Sequence, residues 1–201
     1  MKSSRAAKAR GRPRAFDADK ALEQAMRVFW KHGYEGTSLQ QLTRAMGINR
    51  PSMYAVFGNK EALFRKALDR YVEQGGCVLH NALRQPTARA VVERLLKGTV
   101  DQGARGKIRG CMLVQGALAC GESADSVRLE LVARRATVEK ALRRRFEPAI
   151  AEGDLPRNAD AAVLAKFVAT FQHGLSVQLA GGARREKLLA AVEMALSVFA
   201  A

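Results

Sequence analysis

The chain predicts an all-α protein, in which an N-terminal three-helix unit containing a helix-turn-helix carries a larger helical body. Three observations lead there. Apolar residues recur at intervals of three and four from Leu22 to Phe199, and no segment alternates with period two between turn signals. The composition suits helices: 48% of residues are apolar and only 6% aromatic, with Ala, Leu, Arg and Glu abundant. Residues 37–60, TSLQQLTRAMGINRPSMYAVFGNK, read as two short helices joined by a glycine turn.

Asp17 is a good N-cap for the first helix, whose stripe is Leu22, Ala25, Met26 and Phe29. Gly33 stops it, and Tyr34 and Gly36 turn the chain into Thr37. Trp30 reads either as core or as a residue at a domain seam. Ser38 caps the next helix, with Leu39, Leu42, Ala45 and Met46 at helical spacing. Gly47 ends that helix by taking positive φ, Ile48 plugs the core, and Asn49 caps Arg50 to Phe57. Pro51 lies just inside this second helix, where a missing N–H costs nothing, and Met53, Val56 and Phe57 form its apolar side. A helix so placed can enter the major groove of DNA. After the turn Gly58-Asn59, Lys60 and Glu61 open a long helix, expected to weaken at Gly75-Gly76.

Further on, Gln85-Pro86-Thr87 is a break, with Thr87 capping a helix from Ala88 to about Val100, and Gly103 to Gly106 is a second break. Gly110 to Ala119 is nearly all apolar, which suggests a helix buried all round. Long helices follow over Asp125–Glu152, Asp160–Ala180 and Arg184–Phe199, the first ended by Gly153-Asp154-Leu155-Pro156. The boundaries expected are a basic arm over 1–14, a DNA-binding unit over 15–75 and a helical body over 76–201.

The formal net charge is +15. That implies a polyanionic partner, without separating nucleic acid from a membrane surface. Residues 1–60 hold 12 Lys/Arg against 4 Asp/Glu, so the charge is densest beside the helix-turn-helix, where phosphates would need it. Lys2, Arg5, Lys8, Arg10, Arg12 and Arg14 make an arm with no acid. It reads either as a solubilising tail or as an arm that tracks phosphates or enters a minor groove. No run reaches ~18 apolar residues and no signal-peptide core follows the basic start, so a cytoplasmic protein without a membrane partner is expected. Three cysteines without ligand spacing point to neither disulfide framework nor zinc, and no cofactor or metal is expected. His32, His80 and His173 lie far apart, and no phosphate loop, G-x-S-x-G or H-E-x-x-H occurs, so no enzyme is expected.

With these residues in place, the chain resembles the tetracycline-repressor (TetR) family of bacterial transcription regulators. The resemblance rests on Phe16 to Phe64: Ala25-x-x-x-Phe29, Gly33-Tyr34-Glu35-Gly36-Thr37-Ser38, Ala45-x-Gly47-Ile48, and Ser52-Met53-Tyr54-x-x-Phe57-x-x-Lys60-x-x-Leu63. It implies a DNA-binding domain on a larger effector-binding and dimerisation domain, a homodimer on a palindromic operator, and repression released by a small molecule. The alternative is a less specific, nucleoid-type DNA binder, motivated by the charge.

Reading DNA needs donors for base edges and separate groups for phosphates. Arg50 suits a bidentate contact to guanine or a phosphate clamp. Thr37, Ser38 and Gln40 stand at a helix N-terminus that attracts phosphate. Ser52 and Tyr54 match family positions that touch backbone or bases, the Tyr54 ring packing while its hydroxyl reaches out. Ala55 suits a thymine methyl, and Lys60 resembles the family's phosphate-contacting lysine. Pro51 departs from the pattern: it stiffens the helix start but removes a side chain that could read bases. For the effector, Met112, Gln115, Phe167, Phe171 and Gln172 suit an apolar cavity with few polar groups, against ordinary helix packing. His173 orients a ligand or is a satisfied structural histidine. Cys111 is either an electrophile or oxidant sensor activated by Lys107 and Arg109, or buried and inert. Val163, Phe167, Phe171 and Leu175, with Leu188, Leu189, Val192, Ala195, Leu196 and Phe199, form faces for a dimer or for packing within one chain.

Overall fold

The computed structural model describes residues 16–105, 110–118 and 124–199. These form α1 (Ala18–His32), α2 (Leu39–Met46), α3 (Arg50–Phe57), α4 (Lys60–Leu83), α5 (Ala88–Arg105), α6 (Met112–Leu118), α7 (Asp125–Ala151), α8 (Ala161–Ala180) and α9 (Arg185–Leu196), closed by a 3-10 turn over Ser197–Phe199. No strand occurs among the described residues.

Caps fix the N-terminal unit. Asp17 Oδ1 accepts from the backbone N–H of Asp19 at 3.0 Å and of Lys20 at 3.1 Å. Ser38 Oγ accepts from the Gln41 N–H at 3.1 Å while Gln41 Oε1 accepts from the Ser38 N–H at 2.7 Å, a reciprocal box satisfying two orphan amides. Gly47, at φ 67° and ψ 29°, turns the chain in a left-handed conformation that a Cβ would oppose. Asn49 Oδ1 then accepts from the Ser52 N–H at 2.9 Å.

Two apolar cores result. The first joins α1, α2 and α3 to the start of α4 around Phe29, Leu42, Met53, Leu63 and Phe64, and also draws in Met112, Leu113, Val127 and Leu131 from α6 and α7. The second joins the end of α4 to α5, α7, α8, α9 and the final turn around Leu95, Leu96, Phe146, Val168 and Val192. Chain order and core membership therefore diverge: α6 and the start of α7 pack on the N-terminal unit.

Several expectations change. α4 runs unbroken through Gly75-Gly76 to Leu83. α5 passes the expected break at Gly103, because a Cβ there would meet Leu179 Cδ1 at 2.7 Å; this glycine serves close packing against α8. Ala45 is exposed and Ile48 only half-buried, so neither is full core. Leu188, Val192, Ala195, Leu196 and Phe199 are buried within one chain, mainly against α5, so this face of α9 is internal core. In α6, Met112, Leu113 and Val114 are buried and Gln115 is half-buried, so the segment is not buried all round. The basic arm, Lys107 and Arg109 lie outside the described residues.

Candidate DNA-binding surface and internal cavity

Burial of Leu42, Met46, Met53 and Phe57 turns the opposite sides of α2 and α3 outward. Gln40, Arg44, Arg50, Pro51, Tyr54 and Ala55 are all exposed there. Tyr54 is 45% exposed, so its ring projects and does not pack as expected. Ser52 is half-buried and its N–H serves the Asn49 cap. Thr37 is only 1% exposed, and its hydroxyl donates to the Gly33 carbonyl at 2.6 Å. It locks the turn before α2 and has no hydroxyl free for phosphate, whereas Ser38 and Gln40 stay exposed at the α2 N-terminus. Lys60 is half-buried with Nζ 4.5 Å from the Tyr34 ring centroid; burial lowers its pKa, opposed by Glu35. Sequence reasoning missed Arg44, although Gln40 and Arg44 at i, i+4 share one helix face.

Behind this unit lies a mainly apolar cavity of about 160 Å³. It stands where the two cores meet, lined by Trp30 of α1, Tyr71, Val78 and Leu79 of α4, Thr99 of α5, Cys111, Arg135 of α7, and Gln172, His173 and Ser176 of α8. The Trp30 and Tyr71 rings meet edge-on, 5.0 Å between centroids. Burial, then the hydrogen-bonded Cys111 thiol, pushes the Tyr71 phenol upward. Burial, then Arg135, lowers the His173 pKa. Arg135 Nη1 donates to the Leu113 carbonyl at 2.7 Å, and Gln172 Nε2 donates to Thr99 Oγ1 at 3.0 Å. At the rim, Gly110 has φ 90°, and a Cβ there would meet Gln115 Nε2 at 2.7 Å.

Of the residues expected for an effector, Cys111, Gln172 and His173 line this cavity. Met112 is buried core instead, and Gln115 lies against Gly110, off the cavity lining. Phe167 and Phe171 line a separate surface groove with Lys166, Thr170, Gly174 and Gln178. The reason is helical phase: 167, 171, 174 and 178 share one side of α8, while 172, 173, 176 and 179 face the cavity. Trp30, Tyr71, Thr99 and Arg135 were missed because they come from four different helices. Only the uncertain role of Trp30, core or seam, hinted at it. Among the described residues, no group of His, Cys, Asp and Glu could hold a metal, and no helix is long and apolar enough to cross a membrane.

A capped helix-turn-helix with an exposed basic and aromatic face, set on a helical body with its own cavity, defines a DNA-binding regulatory protein. Residues 21–67 match the family model "Bacterial regulatory proteins, tetR family", and residues 85–191 match "Tetracyclin repressor-like, C-terminal domain". The chain belongs to the TetR family of transcriptional regulators, and it is a sequence-specific DNA-binding regulator. It is 33% identical over 185 residues to the HTH-type transcriptional repressor ComR of Escherichia coli (strain K12), covering 90% of this chain and 88% of ComR. It is 30% identical over 188 residues to the repressor BdcR of the same strain, covering 92% and 90%. Among solved structures, a cysteine mutant of the TetR family regulator CifR, complexed with 26bp double-strand operator DNA, superposes with a TM-score of 0.90 at 46% identity, covering 94% of this chain and 100% of that one.

Proposed function

We propose that this protein is a cytoplasmic, dimeric repressor that binds a palindromic operator and leaves it when a small molecule fills the cavity. The observation that carries the proposal is α4. Its first residues abut the recognition helix, and Tyr71, Val72, Val78 and Leu79 further along it line the cavity. The printed names of ComR and BdcR as repressors, and CifR's complex with operator DNA, support the sign and the target.

In this reading Arg50 contacts guanine, Ala55 a thymine methyl, and Tyr54, Ser52 and Lys60 the flanking backbone. Arg44, Gln40 and the exposed Ser38 hydroxyl, which accepts from Gln41 N–H and still has its proton to donate, hold phosphate at the α2 N-terminus. Pro51 stiffens the start of α3. Two copies join along α8, where Phe167, Phe171 and Gly174 line the groove and Val163 is 63% exposed. A Cβ at Gly174 would meet nothing within 4 Å in one chain, which leaves room for a second backbone. The dimer would set two α3 helices about 34–36 Å apart, in successive major grooves. A ligand releases DNA only by binding the incompetent conformation more tightly, so it must alter the seat of α4.

The test is binding of the full chain to the DNA upstream of its own gene, against scrambled competitor across a salt series. The expected result is a strong preference, at one dimer per palindrome. Equal affinity for both DNAs and for every other genomic fragment would overturn it.

A further inference from the structure

Arg135 occupies a row of α7 that otherwise faces inward. Leu131, one turn before it, and Leu142, two turns after it, are fully buried, and Val138 between them lines the cavity as Arg135 does. An arginine in such an apolar row is costly unless its charge is paired. No acid pairs it. Among the described residues Arg135 stands in no ion pair, and its hydrogen bond runs from Nη1 to the neutral Leu113 carbonyl. Glu139, one turn along α7, is held by Lys166 of α8. No carboxylate lines the cavity. A guanidinium carries several N–H donors in a planar fork that fits a carboxylate, so most of its donors remain. The charge is felt on the facing helix: after burial, Arg135 is what most lowers the pKa of His173 on α8. The volume of about 160 Å³ is that of a one-ring molecule, since a dry cavity of about 150 Å³ admits benzene.

We propose that Arg135 recognises the effector, and that the effector is a small organic anion, an apolar body of about one ring bearing a carboxylate. This rests on the reading of the cavity as the effector site. The anion would offset the cost of the half-buried charge, whereas a neutral ligand of the same shape would leave it unpaired. It would also act at a junction of the fold. Leu113 and Leu131 belong to the core of the DNA-binding unit, and Val138 and Leu142 to the core of the helical body, so Arg135 stands between the two. An anion drawn to the guanidinium competes with the Leu113 carbonyl for it, and so loads the contact between α7 and α6.

The probes are benzoate and benzamide, alike in shape, of which only the first is charged at neutral pH. Calorimetry measures their affinities. The fluorescence of Trp30, the chain's single tryptophan, which lines the cavity, reports where they bind. In the full chain, benzoate should bind about tenfold tighter than benzamide and change the Trp30 fluorescence. In Arg135→Gln that preference should fall below about threefold while benzamide still binds, which also shows that the variant keeps its cavity. Arg135→Lys keeps a cation and should prefer benzoate more than Arg135→Gln does. Benzamide binding as tightly as benzoate, or an unchanged preference in Arg135→Gln, overturns the proposal while leaving the cavity as a ligand site. Benzoate binding without a change in Trp30 fluorescence places the anion on the basic outer surface and overturns it too. Failure of both probes to bind at millimolar concentration overturns the ligand cavity together with this proposal. The comparison in the unsubstituted protein needs no variant, so poor folding of Arg135→Gln would not blunt the test.

Discussion

Lys60→Gln removes a charge at the junction of α3 and α4 while keeping most of the aliphatic stem, and two roles compete for that ammonium. Its Nζ lies 4.5 Å from the Tyr34 ring centroid, a cation–π contact contributing about 0.5–1 kcal/mol at a partly exposed site. A phosphate contact would instead show in the salt dependence of binding. Each neutralised phosphate contributes about 0.9 to the slope of log affinity against log salt, so two protomers contribute about 1.8. Over a fourfold rise in salt, from about 50 to about 200 mM, affinity of the unsubstituted protein should fall about tenfold more than that of the variant. Fluorescence anisotropy on operator and scrambled DNA measures the slopes, and urea unfolding measures stability. The expected outcome is a slope smaller by about two per dimer on both DNAs, with less than about 1 kcal/mol of lost stability. An unchanged slope beside a lowered urea midpoint would refute the phosphate role and leave Lys60 as a partner of Tyr34 alone.

Arg50→Ala should behave differently, losing about 1–3 kcal/mol per protomer on operator DNA and little on scrambled DNA, as competition titration would show. Asp154→Ala should cost about 1–2 kcal/mol in thermal unfolding: Asp154 Oδ2 accepts from the Ala88 N–H at 2.5 Å, capping α5 from 66 residues further along the chain, beside Thr87, whose Oγ1 accepts from the Ala90 N–H at 3.2 Å. His173 gives a pH dependence. Burial and then Arg135, with Lys166, hold its folded pKa below the ordinary 6.5, against Glu139. Below that pH the unfolded chain takes up the proton first, so stability falls as pH drops from 6.5 to the lowered folded value and then levels. His173→Gln should flatten that part of the stability profile in urea titrations across pH.

The local devices were legible because they are local. Asp17, Ser38, Gly47 and Asn49 act within four residues, so sequence spacing alone located these helix ends. Long-range facts were not. Nothing near Asp154 in the chain announces that its carboxylate caps α5. The cavity draws on α1, α4, α5, α7 and α8, and the apolar phase of α8 alone could not say which side met solvent. Phe167 and Phe171 were thus grouped with Gln172 and His173, whereas they line the outer groove. At Gly75-Gly76 low helix propensity predicts a weakening, and burial of Leu68 before it and Ala82 after it carries the helix across without a break.

That crossing point bears on mechanism. Leu63, Phe64, Ala67 and Leu68 fix the first part of α4 in the N-terminal core, with Arg134 Nη2 reaching Asp69 Oδ1 at 2.7 Å from α7. Val78, Leu79 and Ala82 fix its end in the other core. Between them Val72, Glu73 and Gln74 are exposed, and two glycines follow, each worth about 1 kcal/mol less than alanine in a helix interior. Buried leucines contribute about 1.5–3 kcal/mol apiece, so each end of α4 is expected to stay with its core and any bending to fall in the middle. Gly75→Ala with Gly76→Ala should therefore slow amide hydrogen exchange around residues 73–79 by about tenfold or more, without slowing α1 to the same degree. It should also leave operator affinity unchanged in the absence of ligand. Uniform slowing across the chain would mean that α4 opens only with global unfolding, and the midpoint of α4 would then be no hinge.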